Sequence, residues 1–367
     1  MKKLYVLVAS VLLASMLLTA CGAPAATQAP AAAGGLKVGQ VTDLGGVDDK
    51  SFNASAWQGI QDANSQLGID GKYLESKDQS DYAKNIQQFL SEGDKLIVTI
   101  GFLLGVDTAK AAKANPNVNF AIVDYTYPDC YPGAVEGKDC GSSTDIPNVR
   151  GIAFQTDQAA FLAGYAAAGM SKTGTVGTFG GIKIPTVTIF MKGMEAGIKY
   201  YNQQKSANVK LLGWDNAKDD GLFTGNFDST DDGRKFAESL MQEGADIIMP
   251  VAGPVGLGSA AVCKETGKCM IIGVDSDWYE SAPEYKSVIL TSVIKEIHVA
   301  VFNTIKDQLD GKFTGGTKLY ALADGGVGMA PFHDFDSQVP ADLKTELDAV
   351  KTALVNGSLT VDGVLGK

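Results

Sequence analysis

The chain has 367 residues, 31 of them basic and 42 acidic, for a formal net charge of −11. With no cluster of lysines or arginines, that balance argues against nucleic acid and anionic lipid head groups as partners. Two histidines and no G-x-x-x-x-G-K-[ST] run leave no Ser-His, Cys-His or phosphate-loop constellation for an enzyme to use.

At the N-terminus, Lys2 and Lys3 precede an apolar run from Leu4 to Leu18. That run is too short to span a bilayer comfortably and suits the core of a signal peptide. It closes on Leu18-Thr19-Ala20-Cys21, the pattern of a bacterial lipobox. Cleavage after residue 20 and acylation of Cys21 would tether the protein to the outer face of a cell membrane by lipid alone. Residues 21–35 are an uncharged Ala/Pro/Gly stretch, expected as a disordered spacer. The body from Leu36 to Lys367 is too long for one typical core and predicts two lobes of roughly 150 residues each.

Within the body, Lys37–Asp43 predicts a strand and Ser51–Leu67 an amphipathic helix stopped by Gly68. Lys95–Ile100 and Val118–Asp124 read as buried strands, each after a helical stretch. The rhythm resumes with a helix at Asp157–Met170, a strand at Thr173–Gly180 and a helix at Val187–Tyr201. Lys210–Leu212, Ala245–Met249 and Met270–Asp275 supply further strands. Continuous apolar strands separated by helices mean parallel sheets covered on both faces, so the fold class is α/β with a cleft between two lobes.

Ligands of open parallel sheets gather at the carboxyl ends of the strands. Asp43, Asp124 and Asp275 each stand at such an end. A carboxylate only accepts hydrogen bonds, so a ligand there should present hydroxyls, amines or ring N–H groups. Four cysteines remain beside Cys21, in two local pairs: Cys130 with Cys140 and Cys263 with Cys269. Outside the cytoplasm these read as two disulfides. Zinc is the rival reading, but no C-x-x-C accompanies them, and neither a metal nor another cofactor is expected.

Gly45-Gly46-Val47-Asp48-Asp49-Lys50-Ser51-Phe52-Asn53 resembles the basic membrane protein family of substrate-binding lipoproteins, which serve ABC transporters and include purine nucleoside receptors. Gly151–Phe154, Phe161–Tyr165, Gly180–Pro185, Val251–Gly258, Gly273–Asp277 and Thr291–Lys295 continue the resemblance in family order. It implies the type I periplasmic binding protein fold, two Rossmann-like lobes joined by three crossovers. The crossovers would lie near Arg150–Gln155, Lys286–Thr291 and Leu319–Gly325, with a helix after Ser292 returning to lobe one. Lobe one would then be residues 36–152 and 290–320, and lobe two residues 153–289 and 321–367.

The resemblance also implies a ligand set. Asp43 and Asp124 resemble the pair that meets a nucleobase edge. Phe52 and Phe227 resemble aromatics that sandwich the base from opposite lobes. Asp275 and Lys295 resemble the groups that bind ribose hydroxyls, and Gly253 a point where backbone approaches the sugar. Phe223 lies close to Phe227, and Tyr125, Thr126 and Tyr127 adjoin Asp124, so these assignments compete with near neighbours. The segment Pro128–Ile146 looks longer than the family's usual connection. The function implied is a monomeric nucleoside receptor delivering its ligand to an ABC permease and its ATPase.

Riboflavin or a simple sugar as ligand, or a sensor protein as downstream partner, are alternatives within the same fold. The calcium-binding aspartates of nucleoside hydrolases are a poorer match. Val41 stands where their first aspartate belongs, and Asp49 suits the start of the helix beginning near Ser51.

Overall fold

A computed structural model describes residues 35–127 and 146–366. Cys21, Cys130 and Cys140, the signal segment and nearly all of the spacer lie outside the described residues, as do residues 128–145. Two six-stranded sheets organise the rest.

The first sheet contains β1 (Lys37–Val41), β2 (Asp70–Leu74), β3 (Leu96–Ile100), β4 (Asn119–Val123), β5 (Val149–Phe154) and a late strand, β13 (Gly316–Tyr320). Their spatial order is β13-β5-β4-β3-β1-β2, with all neighbours parallel. Helices α1 (Phe52–Leu67), α2 (Tyr82–Glu92) and α3 (Gly105–Ala114) connect the early strands. β3 is buried along its whole length, as its run Leu-Ile-Val-Thr-Ile predicts for a strand covered on both faces.

The second sheet contains β6 (Thr175–Gly180), β7 (Lys210–Leu212), β10 (Ile247–Val251), β11 (Met270–Asp275), β12 (Ile289–Lys295) and β14 (Val327–Met329). Its order is β14-β12-β11-β10-β6-β7, and only β14 runs antiparallel to its neighbour. Two short strands, β8 (Trp214–Asp215) and β9 (Asp220–Gly221), form a separate hairpin. Helices α4 (Thr156–Met170), α5 (Pro185–Lys205), α6 (Thr230–Gln242) and α7 (Val255–Thr266) cover this sheet, followed by the short α8 (Trp278–Ser281). Cys263 and Cys269 are joined by a disulfide that closes the turn from α7 into β11.

Both sheets therefore repeat one order: the second strand outside the first, then the third, fourth, fifth and sixth in sequence. In such sheets the crevice opens where the order reverses, between the first and third strands. The two crevices are β1/β3 and β6/β10. At the second, Pro250 has no N–H to donate, and β10 stops pairing with β11 after Ile248.

The chain passes between the sheets at Gln155, between β5 and α4, and at Glu296, between β12 and α9 (Ile297–Leu309). It passes again between Tyr320 and Val327. The second passage corrects the expected boundary. Thr291–Lys295 is the end of β12 in the second sheet and not the start of a returning helix, because Ile-Leu-Thr-Ser-Val-Ile-Lys is a buried, β-branched run that keeps its pairing with β11 to Ile294. Lys295 thus belongs to lobe two. The return to lobe one is made by α9, which packs on α1 so closely that a Cβ on Gly59 would stand 2.4 Å from the His298 carbonyl oxygen. α10 (Ala341–Val355) and α11 (Val361–Leu365) finish the chain against α4 and α5.

Candidate functional site

One cavity lies at the carboxyl ends of both sheets, and Asp43, Phe52, Asp124, Phe227, Gly253, Asp275 and Lys295 all line it. Its volume is about 60 Å³, room for a few waters.

The lobe-one wall is built around the start of α1. Asp49, nearly fully buried, accepts the backbone N–H of Ser51 at 2.9 Å, of Asn53 at 2.8 Å and of Ala54 at 3.0 Å. It caps the helix from two residues upstream, a job the Ser51 side chain does not do. That carboxylate is committed to the backbone, and among the described residues no group of potential metal ligands is assembled. The cap fixes Phe52 as the first residue of α1, on the cavity wall. Asn53 donates from Nδ2 to Asp43 Oδ1 at 2.7 Å and to Asp49 Oδ2 at 3.1 Å. One asparagine thus orients both acids, a role the sequence signalled only by its place in the motif. The other oxygen of Asp43 faces Gly101, whose hypothetical Cβ would stand 2.7 Å from it.

The lobe-two wall places Phe227 over Gly181, where an added Cβ would meet the ring at 2.3 Å. The neighbouring Phe223 packs instead on Gly180 and Val187, and edge-on to Trp214, and it does not line the cavity. Gly253 is held at φ +54°, a left-handed backbone, and a Cβ there would touch no protein atom within 4 Å. Backbone conformation, and no crowding by the protein, is what asks for glycine at this position.

Between the walls stands Lys295, 2% exposed at the end of β12. Its Nζ lies 2.5 Å from Asp124 Oδ2 on lobe one and 3.0 Å from Asp275 Oδ1 on lobe two. The second contact is an ion pair that misses hydrogen-bond alignment, so Asp275 Oδ1 is a buried acceptor with spare capacity. The ammonium also sits over three rings, with centroids at 4.8 Å (Phe52), 5.3 Å (Phe190) and 5.5 Å (Phe154). Phe190 lies in the second turn of α5, where nothing in the sequence separates it from a core residue. Asp124 and Asp275 themselves hold φ of 61° and 67°, uncommon for residues with side chains and typical of functional strand ends. Tyr125 and Tyr127 pack with tilted rings and do not line the cavity, and Tyr127 donates its hydroxyl to the Gly105 carbonyl.

Enclosure sets the proton affinities. Burial pushes Asp43 up to about 6, against the pull of the Asn53 and Gly45 donors. Burial likewise raises Asp49 to about 7, although three backbone N–H groups favour its anion. Asp124 is raised by burial, opposed by Lys295. For Lys295, burial alone would lower the value, but Asp124 and Asp275 together hold it above the ordinary lysine range.

A carboxyl whose folded pKa exceeds its unfolded value binds more protons when folded, so its stabilisation is present at low pH and lost as pH rises through the folded pKa. The ligand-free protein should therefore melt lower at pH 8 than at pH 5, by ~2–4 °C for each kcal/mol of linkage. Asp43→Asn and Asp49→Asn should each flatten that slope. Identical slopes in all three proteins would show that these acids do not carry it.

Residues 36–359 match the family described as "Bmp: ABC transporter substrate-binding protein PnrA-like". The chain belongs to the Bmp family of ABC transporter substrate-binding proteins. A Lactococcus lactis subsp. cremoris relative, "ABC transporter nucleoside-binding protein BmpA", is 33% identical over 345 residues, covering 89% of both chains. "Basic membrane protein A" of Borreliella burgdorferi is 32% identical over 330 residues, covering 89% of this chain and 87% of its own. Among solved structures, ABC transporter solute-binding proteins from Aeropyrum pernix K1 and Conexibacter woesei share the fold. Their TM-scores are 0.76 and 0.65 at 24% and 22% identity, over 89% of this chain and 92% and 98% of theirs.

The fold is thus the type I periplasmic binding protein fold. Substrate-binding proteins of the Bmp family are extracytoplasmic, and the Lactococcus lactis relative and the two solved structures are named as binding proteins of ABC transporters. Among the described residues no helix is long and apolar enough to cross a membrane.

Proposed function

We propose that this Bmp-family receptor is anchored by lipid on Cys21, closes around a nucleoside, a purine one for preference, and delivers it to an ABC permease. The observation that carries the ligand reading is the pairing of Phe52 from one lobe with Phe227 from the other on a single cavity that also holds buried acceptors. Two rings, one from each lobe, suit a flat heterocycle, and acceptor-only carboxylates suit its N–H and hydroxyl groups. Asp43 would read the base edge with the oxygen that Asn53 leaves free, Asp275 would take ribose hydroxyls, and Lys295 would donate to them. Four carboxyls against one ammonium disfavour a phosphorylated ligand.

The name of the Lactococcus lactis relative supports a nucleoside. The lipobox supports the anchor, and a relative in Pyrococcus horikoshii, 30% identical over 89% of this chain, is itself named a lipoprotein. A ligand held between Phe52 and Phe227 touches both lobes, so its entry and release would go with the lobes parting about their three connections. The ligand then favours closure through contacts it makes to both sides.

Calorimetric titration of the body from Leu36 with purine and pyrimidine nucleosides, free bases, riboflavin and pentoses tests the assignment. A purine nucleoside is expected to bind tightest. Riboflavin or a pentose binding tighter than every nucleoside would replace it. Phe52→Ala should weaken every flat ligand by ~1–3 kcal/mol, and an unchanged affinity would return Phe52 to the hydrophobic core.

A further inference from the structure

Two loops, one from each lobe, meet beside the cavity and touch each other. Lys50 and Ser51 lead into α1 on lobe one, while Val274, Asp275 and Ser276 lie at the end of β11 on lobe two. Ser51 Oγ donates to the Val274 carbonyl at 2.8 Å, with Asp275 Oδ2 a second acceptor at 3.2 Å. Reciprocally, Ser276 Oγ donates to the Lys50 carbonyl at 2.8 Å and is itself within 3.1 Å of Ser281 Oγ. Ser51 is wholly buried, yet neither Ser51 nor Ser276 lines the cavity. Lys50 and Asp275, which present this contact, both have left-handed backbones, at φ 59° and 67°.

The contact is built to break without penalty to the rest of the fold. Val274 O also accepts Trp278 Nε1 and Ser276 N, each at 2.9 Å, so it keeps partners when Ser51 departs. Lys50 is exposed, and water can replace Ser276 on its carbonyl. Separating the loops therefore orphans no buried carbonyl, while bringing them together gains two hydrogen bonds.

We propose that Ser51 and Ser276 form a latch that stabilises the closed cleft in the absence of ligand and so sets its affinity for every ligand it accepts. A ligand that requires the closed form binds with an apparent Kd equal to its intrinsic Kd divided by the closed fraction. Residues that touch no ligand can therefore scale affinity without altering selectivity. The affinity half of this inference rests on the cleft reading above; the closure half does not.

The test uses nitroxide labels at Lys84→Cys on α2 and Lys235→Cys on α6, both exposed and on opposite lobes, with distances read by pulsed electron resonance. Without ligand, the protein with both serines intact should populate the short distance. Ser51→Ala combined with Ser276→Ala should shift the population to longer separations. The variant should also bind its best nucleoside roughly 5- to 50-fold more weakly, with the same factor for any other solute that binds. Ser276→Thr, which keeps the hydroxyl, should restore both.

An unchanged distance distribution would overturn the latch. So would a loss confined to one ligand, which would make Ser51 a ligand contact. If no nucleoside binds at all, the distances alone still decide the latch, and the nucleoside reading is what fails. Should the double variant not fold, Ser276→Ala alone, on a half-exposed residue, carries the measurement.

Discussion

Lys295→Met should be the most damaging single substitution at the cleft, destabilising the protein by about 3–5 kcal/mol. The ammonium is nearly inaccessible and is the cation shared by Asp124 and Asp275, both of which are buried. Methionine fills much of the same volume among Phe52, Phe154 and Phe190, so lost packing is a minor part of the effect. What remains is two carboxylates facing each other in an enclosed space with their cation gone.

The loss should shrink at pH 5, because Asp124 can then take up a proton, its affinity for one already raised by burial. Asp124→Asn combined with Lys295→Met should be less destabilised than Lys295→Met alone, the signature of a coupled pair. Chemical denaturation at pH 5 and pH 8 reads all of these. A Lys295→Met protein within about 1 kcal/mol of the parent at pH 8 would mean that water already relieves the two acids.

Asp275→Ala should cost nucleoside binding ~1.5–3 kcal/mol, about 10- to 150-fold in Kd. Asp275 Oδ1 is inaccessible to solvent, lies on the cavity and meets Lys295 as an ion pair without an aligned hydrogen bond, so it keeps a lone pair for a ligand hydroxyl. A free base carries no such hydroxyl, and its affinity should change far less. Equal losses for nucleoside and base would detach Asp275 from the sugar. The variant also loses one acceptor of the Ser51 hydroxyl, but the shorter bond to Val274 remains.

Much of this architecture was legible because its signals are local. β3, β4, β10 and β11 are short apolar runs between helical patterns, which only a sheet covered on both faces requires. Asp49 as the helix cap followed from its position before α1. The two edge strands of lobe one left no such trace: Asp70-Gly71-Lys72-Tyr73-Leu74 and Gly316-Thr317-Lys318-Leu319-Tyr320 are largely exposed and carry no apolar run. β12 was the harder case, since a buried strand and the start of a buried helix share the same residues, and only its pairing with β11 distinguishes them.

At the cleft, the residues inside motifs came together, while those supplied by packing did not announce themselves. Phe190 and Asn53 act through neighbours distant in sequence or hidden inside a motif. The choice of Phe227 over Phe223 turns on which of two adjacent glycines each ring covers, which becomes visible only when β6 and its loop are in place.

The repeated strand order has one further consequence. Asp124 follows the fourth strand of its sheet and Asp275 ends the fourth strand of the other, so the two acids hold symmetric places in the repeated order. Lys295 breaks that symmetry, because it is covalently part of one half only. When the halves swing apart the ammonium must travel with Asp275, leaving Asp124 to be wetted on its own. Parting the halves thus trades the Asp124 cation for water, and that ion pair is itself one of the ties that bringing the jaws together restores.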